Sequence, residues 1–412
     1  MSFKPHRSNL KPVTRVELSD KHKTLRMILI CLLLAVGVSA MAYGVYSLMH
    51  TEPGWQELEA TCDGVNVSQD FILQYNYSGT AEERRLLTST YSDAAEKAYW
   101  IFTSDQAAEG FANLYTINRS PNKPLTVDPA LYDAFLMFQK YDSPYLYLGP
   151  VYTEYDSLFG SQNDSQADRI NPRRNTEAAD YMKKLLAFAV NPRHIRLELM
   201  GGNQITLHVS PEYLEFAKDY EIEDFLDFHD MKNAFVADYL ASRLLEQGFH
   251  SGFIASYDGF TRNLGCKGES FSMNVFDYLD NTVYPAGIMS YEGPMSLVNL
   301  RSFPMMAEDR YHYYVYQDGE TVTSFADPAD GLYKSSTANL ISYSPTESCA
   351  EILLQILPVY LSDSLNPEAL SDLGDIRSLW CSDETIFYND KNLVISDLLM
   401  TDDLLYQAKY AA

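Results

Sequence analysis

Residues 27–49 run from Met27-Ile-Leu-Ile-Cys-Leu-Leu-Leu-Ala-Val-Gly-Val to Leu48-Met49 without one Asp, Glu, Lys or Arg. An apolar run of this length reaches the roughly 20 residues that a helix needs to cross a bilayer. Its N-terminal flank is basic, with Lys4, Arg7, Lys11, Arg15, Lys21, Lys23 and Arg26 against Glu17 and Asp20. By the positive-inside bias, residues 1–26 form a cytoplasmic tail and the bulk beyond residue 49 is extracytoplasmic. Ala40-Met41-Ala42 has the small-x-small pattern of a signal-peptidase site, which would release that bulk. Apolar residues continue past it through Val45 and Met49, which favours an uncleaved single-pass anchor in the cell membrane. A lipoprotein is disfavoured, because Cys31 opens the apolar run and follows Ile30, where a lipid-attachment Cys follows a small residue near the end.

Charge sharpens the asymmetry. The chain carries −25 overall and the tail +5, so the part beyond the span carries −30. Such an acidic domain repels nucleic acid and anionic lipid headgroups over a Debye length or so, and nucleic acid is not an expected partner. The acid excess otherwise reads as a solvated surface. Five cysteines (Cys31, Cys62, Cys266, Cys349, Cys381) include no CxxC pair and no metal-like spacing with His. An exported domain leaves one or two disulfides open, without assigning them. The aromatic content of 13%, with 31 Tyr, argues against disorder.

The expected organisation is a linker over 50–62 marked by Pro53-Gly54, one extracytoplasmic domain over 63–400, and a C-terminal tail over 401–412. Helical spacing of Leu86, Leu87, Tyr91, Ala95 and Tyr99 predicts a helix from Thr80 to Thr103. Asp128-Pro129 is an N-cap with Pro at the first helical position, and Leu131, Phe135, Leu136 and Phe138 follow as its apolar face. Asn163 to Asn175 is polar and reads as an exposed loop. Arg196–Met200 and Gln204–Val209 alternate about Gly201-Gly202-Asn203, a hairpin signal. Residues 234–247 form the strongest helix, stopped by Gly248. A short strand over Phe253–Ser256 ends at Asp258-Gly259, and Tyr311–Tyr316 with Thr321–Thr323 predicts another hairpin. Ser344-Pro345-Thr346-Glu347 reads as a capping box opening a helix that stops near Pro358. Strands are expected around Thr385–Tyr388 and Leu393–Ser396. Helices and strand pairs mix without a βαβ rhythm, which predicts an α+β fold.

Common catalytic signatures are absent: there is no GxSxG, Walker A loop, HExxH or GxGxxG after a strand. His194, His208, His229, His250 and His312 stand without a second His at ligand spacing, and structural or surface roles suit them better than metal binding. Carboxylates are too many for an acid–base pair to be chosen from the sequence. Asn66, Asn76, Asn118 and Asn163 each begin an Asn-x-Ser triplet, which matters only in a eukaryotic source.

Four segments, in order, resemble the FAD:protein FMN transferases (the ApbE-type flavin transferases) over roughly residues 63–398. Asp227-Phe-His-Asp-Met-Lys-Asn-Ala-Phe-Val-Ala-Asp238 is similar to D-L-G-G-I-A-K-G-Y-A-V-D. Tyr239 to Gly259 matches the helix, Gly, short strand and Gly-Gly turn that follow in the family. Ser324-Phe-Ala-Asp-Pro-Ala-Asp-Gly331 is similar to H-I-I-D-P-x-T-G, and Ser344–Gln355 to a helix with A-D-A-L-A-T.

The resemblance implies an ApbE-like flavin-transferase fold behind one N-terminal transmembrane helix. It further implies FAD and Mg²⁺ as cofactors, with FMN moved from FAD to a Thr or Ser of an exported or membrane flavoprotein acceptor. Its implied cofactor-binding residues are Asp238, Asp258, Gly259, Asp327 and Gly331, and its implied metal ligands are Glu351 and Gln355. The chain also departs from the pattern. The family's Lys falls on Asn233 (a one-residue slip offers Lys232), its next Gly on Ala234, and the first Gly of the Gly-Gly turn on Asp258. Its His falls on Ser324, and its metal-binding Asp and Thr on Glu351 and Gln355. Asp327-Pro328 with Gly331 makes a good turn in any protein. Glu351 and Gln355, four apart, share a helix face with or without a metal. The alternative to an active transferase is thus a pseudoenzyme that keeps the fold as a binding or scaffolding domain.

Overall fold

In the computed structural model, residues 23–49, 52–62, 70–265, 268–306, 309 and 311–411 are described. Asn66 and Cys266 lie outside them. Helices and strands are labelled in chain order. The first helix, α1 (Lys23–Met49), holds an apolar window from Met27 to Tyr46 with mean hydropathy 2.4 and none of it buried, long and apolar enough to cross a membrane.

The body is built on a nine-stranded sheet. Its order is β1 (Gly54–Leu58), β2 (Phe71–Tyr77), β6 (Gly252–Ser256), β7 (Phe260–Asn263), β10 (Ser296–Arg301), β13 (Asn339–Ser344), β14 (Arg377–Ser382), β15 (Thr385–Tyr388) and β17 (Gln407–Tyr410). Neighbours are antiparallel except β15 and β17, which run parallel. Because side chains alternate across a strand, the sheet feeds two cores. Val298, Leu300, Leu340 and Trp380 join the larger one, and Leu297, Ile341, Leu379 and Cys381 the smaller.

The larger core is covered by α2 (Ala81–Phe102), α9 (Lys232–Glu246) and α10 (Cys349–Tyr360), with the shorter α3 (Leu114–Asn118) and α4 (Pro129–Lys140) beside them. Further helices α5 (Gly149–Phe159), α6 (Asp164–Ile170), α7 (Thr176–Ala189), α8 (Pro211–Asp219) and α11 (Pro367–Ser371) complete it. The second face carries β8 (Ser270–Leu279), β9 (Thr282–Glu292) and β16 (Val394–Ser396). Two small sheets remain: β3 (Pro124–Thr126) with β5 (Gln204–Val209) and β4 (Ile195–Gly201), and β11 (Tyr313–Val315) with β12 (Thr321–Thr323).

The mixed α+β class and most predicted elements hold. Thr80 and Asp128 cap α2 and α4 through their side chains, and Gly248 ends α9 at φ +86°. The β4–β5 turn uses left-handed Gly201, Gly202 and Asn203. Four stretches differ. Asn163–Asn175 is a loop only in its second part, the turn over 171–175: Asn163 accepts from Gln166 N–H and starts α6. Part of the expected linker is strand β1, whose backbone pairs with β2 from Gly54↔Tyr77 to Leu58↔Leu73. Part of the expected tail is strand β17, paired with β15. The capping box lies one turn later than Ser344. Ser348 Oγ accepts from Glu351 N–H while Glu351 accepts from Ser348 N–H, and α10 runs on through Pro358 to Tyr360. Ser344 stays in β13, its hydroxyl accepting from Thr346 and Glu347 N–H.

Candidate functional site

The segments singled out in the sequence lie at three places with different neighbours: the start of α10, a turn against α5 and α7, and the start of α9. The first is the start of α10. Asp238, on the inner face of α9, accepts from Cys349 N–H at 3.0 Å and Ala350 N–H at 2.8 Å. Helix N-termini leave such donors without intrahelical partners and carry partial positive charge. Arg262 stands 3.6 Å away. Burial pushes the Asp238 carboxyl upward, and Arg262 with the two amides pulls against it. Asp238 therefore splices α9 onto α10, a role that needs no ligand.

Glu351 and Gln355 form the polar stripe of the otherwise apolar α10. Glu351 closes the capping box and pairs with Lys140 Nζ at 2.9 Å. Gln355 Nε2 donates to Tyr141 Oη at 3.3 Å and Glu351 O at 3.1 Å. The Glu351 carboxylate would have to be won back for Mg²⁺ from Lys140 and the α10 cap, and Mg²⁺ tolerates little departure from octahedral geometry. Among the described residues no three His, Cys, Asp or Glu side chains gather as a metal site.

The second place is a turn. Asp327 Oδ2 receives Lys334 Nζ at 2.6 Å, Oδ1 receives Ala329 N–H at 2.9 Å, and Asp330 shares the lysine at 2.8 Å. Gly331 sits at φ +71°, and a Cβ there would lie 2.5 Å from Met182 Cγ. Tyr155 Oη donates to its carbonyl at 2.8 Å. These residues close a turn against α5 and α7.

The third place is the start of α9. His229 adopts φ +47°, a left-handed conformation that falls where the D-L-G-G motif has its first Gly. It stacks on Tyr152 with ring centroids 4.4 Å apart, and its Nε2 lies 3.0 Å from Asp156. Asp230 falls on the second Gly. Its side chain, 10% exposed, faces His312 Nδ1 at 2.7 Å and His229 Nδ1 at 3.5 Å. Asp258 falls on the first Gly of the Gly-Gly turn and accepts from Asn233 Nδ2 at 2.8 Å. The surviving Gly259 (φ +112°) is held by packing inside the sheet, since a Cβ would lie 2.3 Å from Asn299 O.

The charges here are strongly coupled. The Asp230 carboxylate raises the His312 imidazole to about 9 against the effect of burial. Burial disfavours the Asp230 charge, but His312 and His229 overcome it and hold its pKa below the ordinary value. Burial lifts Asp258 to about 6. Burial also lifts Asp70, opposed by Lys232 and His312; Lys232 thus adds to this cluster's field. What remains is a cavity of about 20 Å³ lined by Asp230, Asp258, Asn299, Arg301, His312 and Tyr313 among others. Asp258 Oδ1 and Asn299 Oδ1, on residues lining it, and Asn233 Oδ1, beside Asp258, are buried without hydrogen-bond partners. Such space suits about one water.

No family model and no curated protein matches the chain. Solved structures do. The ApbE protein from Thermotoga maritima superposes with TM-score 0.54 at 12% identity, covering 79% of this chain and 94% of its own. The flavin transferase ApbE from Vibrio cholerae gives 0.54 at 13% identity, covering 84% and 98%. The apo flavinyl transferase ApbE from Pseudomonas stutzeri gives 0.50 at 12%, covering 87% and 99%. The chain has the ApbE-like flavin-transferase fold.

Within that fold the residues present do not fit Mg²⁺–FAD. Small-molecule sites usually span roughly 300–1,000 Å³, and the gap among the described residues beside Asp230 and Asp258, two of the positions aligned with a motif glycine, has room for about one water. Larger clefts of about 600, 530 and 410 Å³ lie elsewhere and include none of the flavin-motif residues. His229, Asp230 and His312 were missed as a group because the third lies 82 residues from Asp230. The legible signal was two side chains standing where a Gly-Gly pair is expected. Of the four Asn-x-Ser triplets, Asn118 is buried and bonded to Leu226 through both amide atoms.

Proposed function

We propose that this chain is a membrane-tethered pseudoenzyme: a flavin-transferase fold whose flavin cleft is filled from within, kept as an extracytoplasmic binding or scaffolding domain. One observation carries the reading. Where the family motifs have three glycines, His229, Asp230 and Asp258 pack with His312 and Asn233 into a closed, charged cluster. Glycine serves where backbone must approach a ligand closely, and three side chains at those positions remove that approach. The metal positions agree, because Glu351 and Gln355 already serve the cap of α10 and the end of α4. The apolar α1 with its basic flank supports a single-pass anchor with the domain outside the cytoplasm.

The test is group transfer. Full-length protein in detergent is incubated with FAD, Mg²⁺ and a Thr-containing acceptor peptide, and the peptide is weighed by mass spectrometry. No FMN adduct is expected. An adduct that forms with this chain and not without it would restore the transferase reading.

A further inference from the structure

We infer that the domain rests on the bilayer through an aromatic patch centred on Trp55, rather than standing clear of it on a stalk. The inference rests on the anchor reading of α1 and adds an orientation to it. The apolar window ends at Tyr46, α1 ends at Met49, and β1 begins at Gly54. At no more than about 3.5 Å per residue, Trp55 lies within about 20 Å of the helix end. A flexible stalk has no room there, and α1 also contacts α2 of the folded domain.

Trp55 is 45% exposed on the edge strand of the large sheet. Its ring meets Phe253 and Phe271 at 6.1 Å each, those two meet at 6.0 Å, and Phe271 stacks on Tyr291 at 5.6 Å. Phe253, Phe271 and Tyr291 are half-buried, so the cluster is a firm seat with Trp55 as its exposed rim. Trp and Tyr favour the headgroup level, where an apolar ring meets water at one end. Glu52 and Glu57 beside Trp55 are exposed. Their charge selects a zwitterionic surface over an anionic one. The occupant is thus the phosphatidylcholine-like face of the membrane that holds α1.

The experiment uses the full chain in nanodiscs of phosphatidylcholine, with and without lipids brominated high on the acyl chain. Tryptophan emission is compared between wild type and Trp55→Phe; Trp100 and Trp380 supply the remainder. Bromolipid quenching in the wild type that is lost in Trp55→Phe is expected, and phosphatidylglycerol nanodiscs should weaken it. Equal quenching in both proteins, with the chain incorporated, overturns the docking while leaving the anchor intact. Failure of the chain to enter nanodiscs would instead overturn the anchor, and the docking with it.

Discussion

One carboxylate on α9 and another in the turn after β6 are treated differently by the fold. Asp238 gives up water for two backbone N–H groups and Arg262. Asp258 gives up water for the Asn233 amide, with the Ser256 hydroxyl also favouring its charge, and its Oδ1 is left without a partner in hydrogen-bond range. Burial raises both pKa values, yet only the first carboxylate does structural work that offsets the loss. The contrast separates what the fold needs from what a flavin site would need. The carboxylate that joins the two central helices is met by the fold itself, and the one aligned with a motif glycine is left partly unmatched.

The largest expected effect falls on the first side. Asp238→Ala leaves two α10 amides and the Arg262 charge unmet, and breaking a buried pair of this kind costs about 3–5 kcal/mol. Thermal unfolding of the full chain by circular dichroism should show it, with Asp238→Asn falling between the variant and wild type. Equal stability of wild type and Asp238→Ala would remove the splice from the comparison.

Asp258→Asn should act in the opposite direction. A carboxyl whose pKa is raised on folding binds its proton more tightly when folded. Its stabilising influence is therefore present below about 4 and lost as pH rises through about 6. The neutral amide should stabilise the protein by about 1–3 kcal/mol at pH 8 and by much less at pH 4. A gap that does not grow with pH would mean that the Asp258 charge is better solvated than its surroundings suggest.

His312 gives a smaller effect of defined sign. Its imidazole is raised by Asp230, so the pair is fully formed below about 6.5 and fails as pH rises through about 9. The side chain is 44% exposed, and solvent screening holds the loss in His312→Gln to about 1 kcal/mol. Unfolding midpoints between pH 7 and 10 should converge for the variant and wild type.

Glu351→Ala should cost least, about 0.5–1 kcal/mol for a cap and a partly exposed ion pair. Millimolar Mg²⁺ should leave Tm unchanged in both proteins. A Mg²⁺-dependent rise in wild type alone would put a metal back on α10.

Much of the fold was legible because its signals are local. Thr80, Asp128-Pro129, the Gly201–Asn203 turn and Gly248 each mark an element boundary through the backbone conformation or donor they serve. The misplacements have local causes too. Ser344-x-x-Glu347 and Ser348-x-x-Glu351 are both capping-box patterns one turn apart, and pairing of β13 with β10 and β14 keeps Ser344 in a strand. Polar Asn163–Asn175 carries a good N-cap that its composition masked. The edge strands β1 and β17 are four or five residues long and take their stability from partners distant in sequence, as edge strands do. The site was legible only as losses. Motif alignment marked Asp258 and Asn233 as departures, but the pairing of Asp230 with His312 depends on tertiary placement that no spacing encodes.

Equilibrium dialysis of the full-length protein against FAD with Mg²⁺ tests the filled cleft most directly. The filled cleft predicts no saturable flavin retained above the detergent blank. One FAD bound per chain, displaced when Asp258 is enlarged to Glu, would contradict it and return the start of α9 to flavin chemistry.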